Sequence, residues 1–78
     1  MKHLAGVPIG QDVVLVDLSK IEERLRRRLI ALGFYEGCPV AVRRRAIFGG
    51  PLTIEQREHR QTIAIRRSDA RRIEVFSA

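Results

Sequence analysis

Apolar residues recur along this chain with two different periods, and the switch between them marks its elements. Val13, Val14, Leu15 and Val16 form a continuous run within Asp12 to Leu18, which predicts a strand covered on both faces. From Lys20 to Leu32 the spacing becomes helical, and Ile21, Leu25, Leu29 and Leu32 fall on one face. Ser19 and Glu22 have the spacing of a capping box at the helix start. Gly33 stands where a left-handed C-terminal cap is wanted, with Phe34 placed to fold back onto Leu29. Glu22 and Glu23 precede Arg26, Arg27 and Arg28, an order that complements the helix dipole and offers Glu22–Arg26 and Glu23–Arg27 pairs.

Alternation returns over Val40 to Arg45, with Val40 and Val42 expected on one face and Ala41, Arg43 and Arg45 on the other. Phe48-Gly49-Gly50-Pro51 reads as a loop, Leu52 to Glu55 alternates again, and Gln56 to Gln61 is a polar hairpin end. Thr62 to Ile65 is a strand, Ser68 to Arg71 a single helical turn, and Ile73 with Val75 a last short strand. The pattern is mainly β: about five short strands, one α-helix inserted after the first strand and a short helical turn before the last. A barrel would leave such strands without exposed edges. No linker, repeat or low-complexity stretch interrupts the chain, so residues 1–78 read as a single domain. The expected core joins the helical stripe to Val13, Leu15, Val40, Val42, Leu52, Ile54, Ile63, Ile65, Ile73 and Val75.

Charge adds a partner class to this picture. Lys and Arg number 15 against 9 Asp and Glu, a formal net charge of +6, and all the basic residues but Lys2 and Lys20 are arginine. Such a balance favours an acidic partner: nucleic acid, an anionic membrane surface or an acidic protein patch. No apolar run approaches the roughly 20 residues of a membrane helix, and no signal peptide is visible, so no membrane insertion is expected. The single cysteine suits a reducing compartment, which points to the cytoplasm.

Candidate chemistry is sparse. No nucleophile–base pair, paired carboxylates or phosphate-loop motif stands out, so an enzyme is rejected and no cofactor is expected. His3, Cys38 and His59 are weak metal candidates, but they are scattered, whereas a transition-metal site gathers three or four ligands. Cys38 is better placed as a small buried hydrophobe. Arg43, Arg44 and Arg45, with Arg66, Arg67, Arg71 and Arg72, form a prospective basic face; without interleaved aromatics nucleic acid ranks behind an acidic protein. Phe34, Tyr35 and Phe48 lie in or beside turns, where they either line a groove or pack under loops.

Taken in order, Leu29-Ile30-Ala31-Leu32-Gly33-Phe34-Tyr35-Glu36-Gly37, then Val40 and Val42, Phe48-Gly49-Gly50-Pro51-Leu52 and Ile54, and Ile63-Ala64-Ile65-Arg66-Arg67 leading to Ile73-Glu74-Val75, resemble the FeoA domain family. The resemblance extends from about Leu4 to Val75. It departs at Gly49-Gly50-Pro51, where the family often has Gly-Asp-Pro, and at Glu58-His59, where a glycine turn is usual. The resemblance implies an SH3-like barrel, and an accessory protein of bacterial ferrous-iron transport that binds the cytosolic GTPase portion of the permease. Partner contacts expected on this reading are Tyr35, Phe48, Arg43, Arg45 and Phe34, with weak self-association left open. A nucleic-acid-binding small barrel and a metal-responsive regulatory domain are the alternatives.

Overall fold

The computed structural model describes residues 2–77, and its elements follow the predicted order with one strand more. They are β1 (Lys2–His3), a 3-10 turn (Leu4–Gly6), β2 (Asp12–Asp17), α1 (Glu23–Ala31), β3 (Pro39–Arg45), β4 (Leu52–Gln56), β5 (Gln61–Ile65), α2 (Arg67–Ala70) and β6 (Glu74–Ser77). All ladders between these strands are antiparallel, in a single six-stranded sheet ordered β1-β6-β2-β3-β4-β5. The sheet curls into the expected small barrel. The outer strands are β1 and β5, and the 3-10 turn that follows β1 packs against the α2 that follows β5, with Leu4 and Ala70 wholly buried.

α1 begins three residues later than its apolar spacing predicts. The capping box does not form: Asp17 Oδ1 accepts the Ser19 amide at 2.7 Å, which holds Ser19 in a turn of its own. Glu22 becomes the N-cap residue with extended backbone and no side-chain capping bond. It therefore faces Arg66 at 3.8 Å instead of Arg26, and Glu23 takes both Arg26 and Arg27, the latter at 3.2 Å. The helix ends as its residues dictate. Gly33, at φ +92°, donates to the Ile30 carbonyl, and Phe34 donates to that of Leu29. These are the two bonds of a Schellman cap, and Phe34 and Leu29 enter the core together.

Every predicted core residue is buried except Leu32, which is half-covered. Val13 and Leu15 point inward, while Val14 and Val16 are only half-buried, so the run in β2 is not covered equally on both faces. The core also takes Leu4, Val7, Leu18, Phe34 and Cys38.

A bulge in β3 changes the expected faces. Val42 pairs with Ile54, but the next pairs are Arg44 with Thr53 and Arg45 with Leu52, so Arg43 is an extra residue. One inserted residue shifts the inside–outside alternation by one. Arg44 thus points out, and Arg45 lies on the face of Val42 and Leu52, not on the face of Ala41 where simple alternation had put it.

Candidate functional site

The loop between α1 and β3 is pinned from several sides. Gly37, at φ +104°, donates its amide to the Leu15 carbonyl at 2.6 Å, and Leu18 donates its amide to Glu36 Oε2 at 2.9 Å. Tyr35 donates its hydroxyl to Glu58 Oε1 at 2.7 Å, tying this loop to the four-residue turn between β4 and β5. Gln56, wholly buried, makes the same link from inside: its Nε2 donates to the Gly33 carbonyl (2.9 Å) and to Glu58 (3.2 Å). Its Oε1 accepts the amides of Glu58 and His59. The turn that lacks a glycine is therefore built on a glutamine, with Arg60 taking the positive φ of 59°. The hydroxyl of Tyr35, and next the amide of Gln56, hold the Glu58 carboxyl below the ordinary glutamate range. The same bond to Glu58 pushes the Tyr35 phenol up.

Beside this corner lies a cleft of about 350 Å³ lined by Leu18, Ser19, Arg26, Ile30, Phe34, Tyr35 and Glu36. Phe34, only 1% exposed, belongs to the core and supplies the floor. Ile30 and Tyr35, about half-exposed, form the rim. Cys38 sits just behind with its Sγ 3.4 Å from the Tyr35 amide, and burial pushes its thiol up.

The arginines expected to act together are divided by the β3 bulge. Arg45 donates to the carbonyls of Ala5 (3.0 Å) and Val7, and so fastens the 3-10 turn to β3. Arg43 stands 3.7 Å from Glu55, a nearly buried carboxylate that also receives Arg57 at 2.7 Å. Arg57 reaches Asp12 at 3.1 Å as well, spanning the strand between them and covering Ala41. The bond from Arg57 keeps the Glu55 carboxyl low. Arg44, exposed, has no ion pair among the described residues.

A second feature stands at the other end of β4. In the loop of residues 46–51, Ile47 is 77% and Phe48 98% exposed. Ala46 and Pro51 close the loop by a 3.0 Å backbone bond, and Arg67 donates to the carbonyls of both Ala46 and Gly50 at 2.9 Å. Since this loop precedes β4 and the turn holding Tyr35 follows it, Tyr35 and Phe48 do not share one groove.

His3 lies on β1 opposite Glu74, His59 packs against Gly33, and Cys38 is buried; among the described residues no three of His, Cys, Asp and Glu converge to hold a metal. Sequence reasoning missed Gln56, Ile30 and Ile47, and it named Glu58 and Arg67 without the bonds to Tyr35 and to the loop carbonyls that they make. Ile30 and Ile47 carried a signal, as apolar residues outside the helical stripe and outside any strand; the other three are ordinary polar residues whose partners are distant in sequence.

The FeoA domain model matches residues 2–76. No curated protein sequence matches the chain. Among solved structures, it is similar to the iron(II) transport protein A of Clostridium thermocellum, at 22% identity and a TM-score of 0.81 over 97% of this chain and 45% of that one. It spans less than half of that relative's length. The FeoA protein of Chlorobium tepidum is 27% identical with a TM-score of 0.80, covering 96% of this chain and 69% of that one. The zinc complex of Stenotrophomonas maltophilia FeoA, described as an SH3 domain protein, is 26% identical with a TM-score of 0.75, over 96% and 89% of the two chains.

Proposed function

The chain belongs to the FeoA domain family, and from that premise we propose that it is a non-catalytic accessory of ferrous-iron uptake that docks on the cytosolic GTPase portion of the transport permease. The Stenotrophomonas protein, described as a candidate activating factor of bacterial ferrous iron transport, supports the association with uptake. The observation that carries a docking role is the cleft beside Tyr35. Its floor is a core aromatic, its rim is two half-exposed apolar side chains, and its wall is braced by Gln56 and Glu58. A preformed apolar recess of this kind receives an anchoring side chain with little ordering cost. Tyr35 and Ile30 make the contact, with Phe34 shaping the recess from beneath. Arg43 lies on another strand beside Glu55, and Arg45 serves the fold.

The test is capture of the purified GTPase portion by the immobilised full chain. Tyr35→Ala and Ile30→Ser each reduce capture, and Arg44→Ala leaves it unchanged. Capture at the wild-type level by both cleft variants, shown folded by circular dichroism, removes the cleft from the docking site.

A further inference from the structure

We propose that the loop of residues 46–51 is a membrane-surface anchor, in which Ile47 and Phe48 enter the interfacial layer of an anionic bilayer and the neighbouring arginines engage lipid phosphates. Three observations converge on it. First, the tip is apolar and stands clear of the fold, with Phe48 98% exposed. Second, the carbonyls of Ala46, Ile47, Gly50 and Pro51 are all bonded from within. Besides the Ala46–Pro51 closure and the two bonds from Arg67, Gly50 donates to the Ile47 carbonyl at 3.2 Å. A loop so bonded can enter a layer poor in water without stranding these carbonyls, and it keeps its two side chains displayed. Gly50 is needed for this closure, since a Cβ there would come within 2.7 Å of that of Ala46.

Third, the charge along the stretch that carries the tip has one sign. From Gly37 to Ile54 the sequence holds three arginines and no carboxylate. Arg44 points outward just before the loop, Arg67 grips its base, and exposed Arg71 and Arg72 follow one helical turn later. Arg44, Arg71 and Arg72 have no ion pair among the described residues. Apolar prongs flanked by the guanidinium groups of Arg44 and Arg67 complement a bilayer whose phosphates lie above its hydrocarbon. A single exposed ring beside an isoleucine makes a poor stacking platform for nucleic-acid bases. The contact is peripheral: no helix among the described residues is long and apolar enough to cross a membrane. It is independent of the Tyr35 cleft, because β4 lies between the two, and the domain can hold a protein at one end and lipid at the other.

The experiment is co-sedimentation of the full chain with phosphatidylglycerol vesicles and with phosphatidylcholine vesicles, at low and high salt. The chain is expected to sediment with the first and not the second, and to be released by salt. Phe48→Asn, which suits the positive φ of 58°, should weaken partitioning about tenfold. Arg44→Ala should weaken it roughly fivefold, and Tyr35→Ala not at all. Phe48→Trp supplies a sole tryptophan, and its emission should move to the blue on anionic vesicles alone. No sedimentation of the folded wild type, equal partitioning of Phe48→Asn, or unchanged emission of the Phe48→Trp variant overturns the proposal. Phe48-dependent binding to duplex DNA or polyglutamate in place of vesicles overturns it too. Loss of vesicle binding with capture of the GTPase portion intact rejects this inference and leaves the docking reading standing.

Discussion

Tyr35 and Glu58 meet across 23 residues of sequence at 2.7 Å, phenol donating to carboxylate, and this bond joins the helix-terminating loop to the β4–β5 turn. Because Tyr35 is the only tyrosine and tryptophan is absent, its ionisation can be read directly by ultraviolet absorbance. The phenol should titrate above the ordinary tyrosine range, and Glu58→Gln should bring it back toward about 10. The bond's contribution to stability is fully present below the unfolded phenol's pKa and is lost as pH rises through the folded one. A phenol that titrates identically in wild type and Glu58→Gln would show that the bond does not persist in solution.

The acid side has the opposite sign. Glu58 is held low by Tyr35 and Gln56, so its contribution is present above the unfolded glutamate value and fades as pH falls through the folded one. Urea midpoints measured from neutral pH down past about 4 should therefore fall less steeply for Glu58→Gln than for wild type.

Gln56 is an inward-facing strand residue that replaces apolar packing with four hydrogen bonds to the neighbouring turn and helix cap. Gln56→Leu keeps the volume but strands the Gly33 carbonyl and two turn amides. It should cost about 1–3 kcal/mol, read as a lowered urea midpoint at unchanged slope. An unchanged midpoint would mean that water replaces the glutamine at no cost.

Arg45→Met should destabilise the fold by roughly 1–3 kcal/mol, because the carbonyls of Ala5 and Val7 lose their shared donor. Arg45→Lys should recover only part of this, since one ammonium does not reproduce the guanidinium fork. Neither substitution should alter capture of the GTPase portion when compared at equal folded fraction.

Gly33→Ala places a Cβ at positive φ and within 3.0 Å of the His59 ring. The backbone conformation alone costs about 1–2 kcal/mol. Adding His59→Ala should relieve the steric part only, so the double mutant remains less stable than His59→Ala by that backbone cost.

Much of the fold was legible because its signals are local. Gly33 followed by Phe34 specified the helix end, and two-residue periodicity found β3, β4 and β5 with their buried Val40, Val42, Leu52, Ile54, Ile63 and Ile65. The helix start was misread because Asp17 competes for the Ser19 amide, an alternative that the capping-box pattern does not weigh. β1 escaped because two residues have no period and are fixed only by β6. The candidate site was legible in its aromatics and not in their grouping. Tyr35 and Phe48 are both exposed as expected, but their placement at opposite ends of β4 follows from strand pairing. Gln56 looked like one more polar residue at a hairpin end, since its partners Gly33 and Glu58 become neighbours only after folding.

The supernumerary residue at position 43 has a consequence for comparing this chain with its relatives. In a relative that lacks this extra residue, the first position after the counterpart of Val42 would face outward and the second would take the interior brace, so an arginine aligned by counting from Val42 would change duty. Alignments through this strand should therefore be scored by parity as well as by identity. A conserved arginine column that crosses the gap joins residues with unrelated jobs.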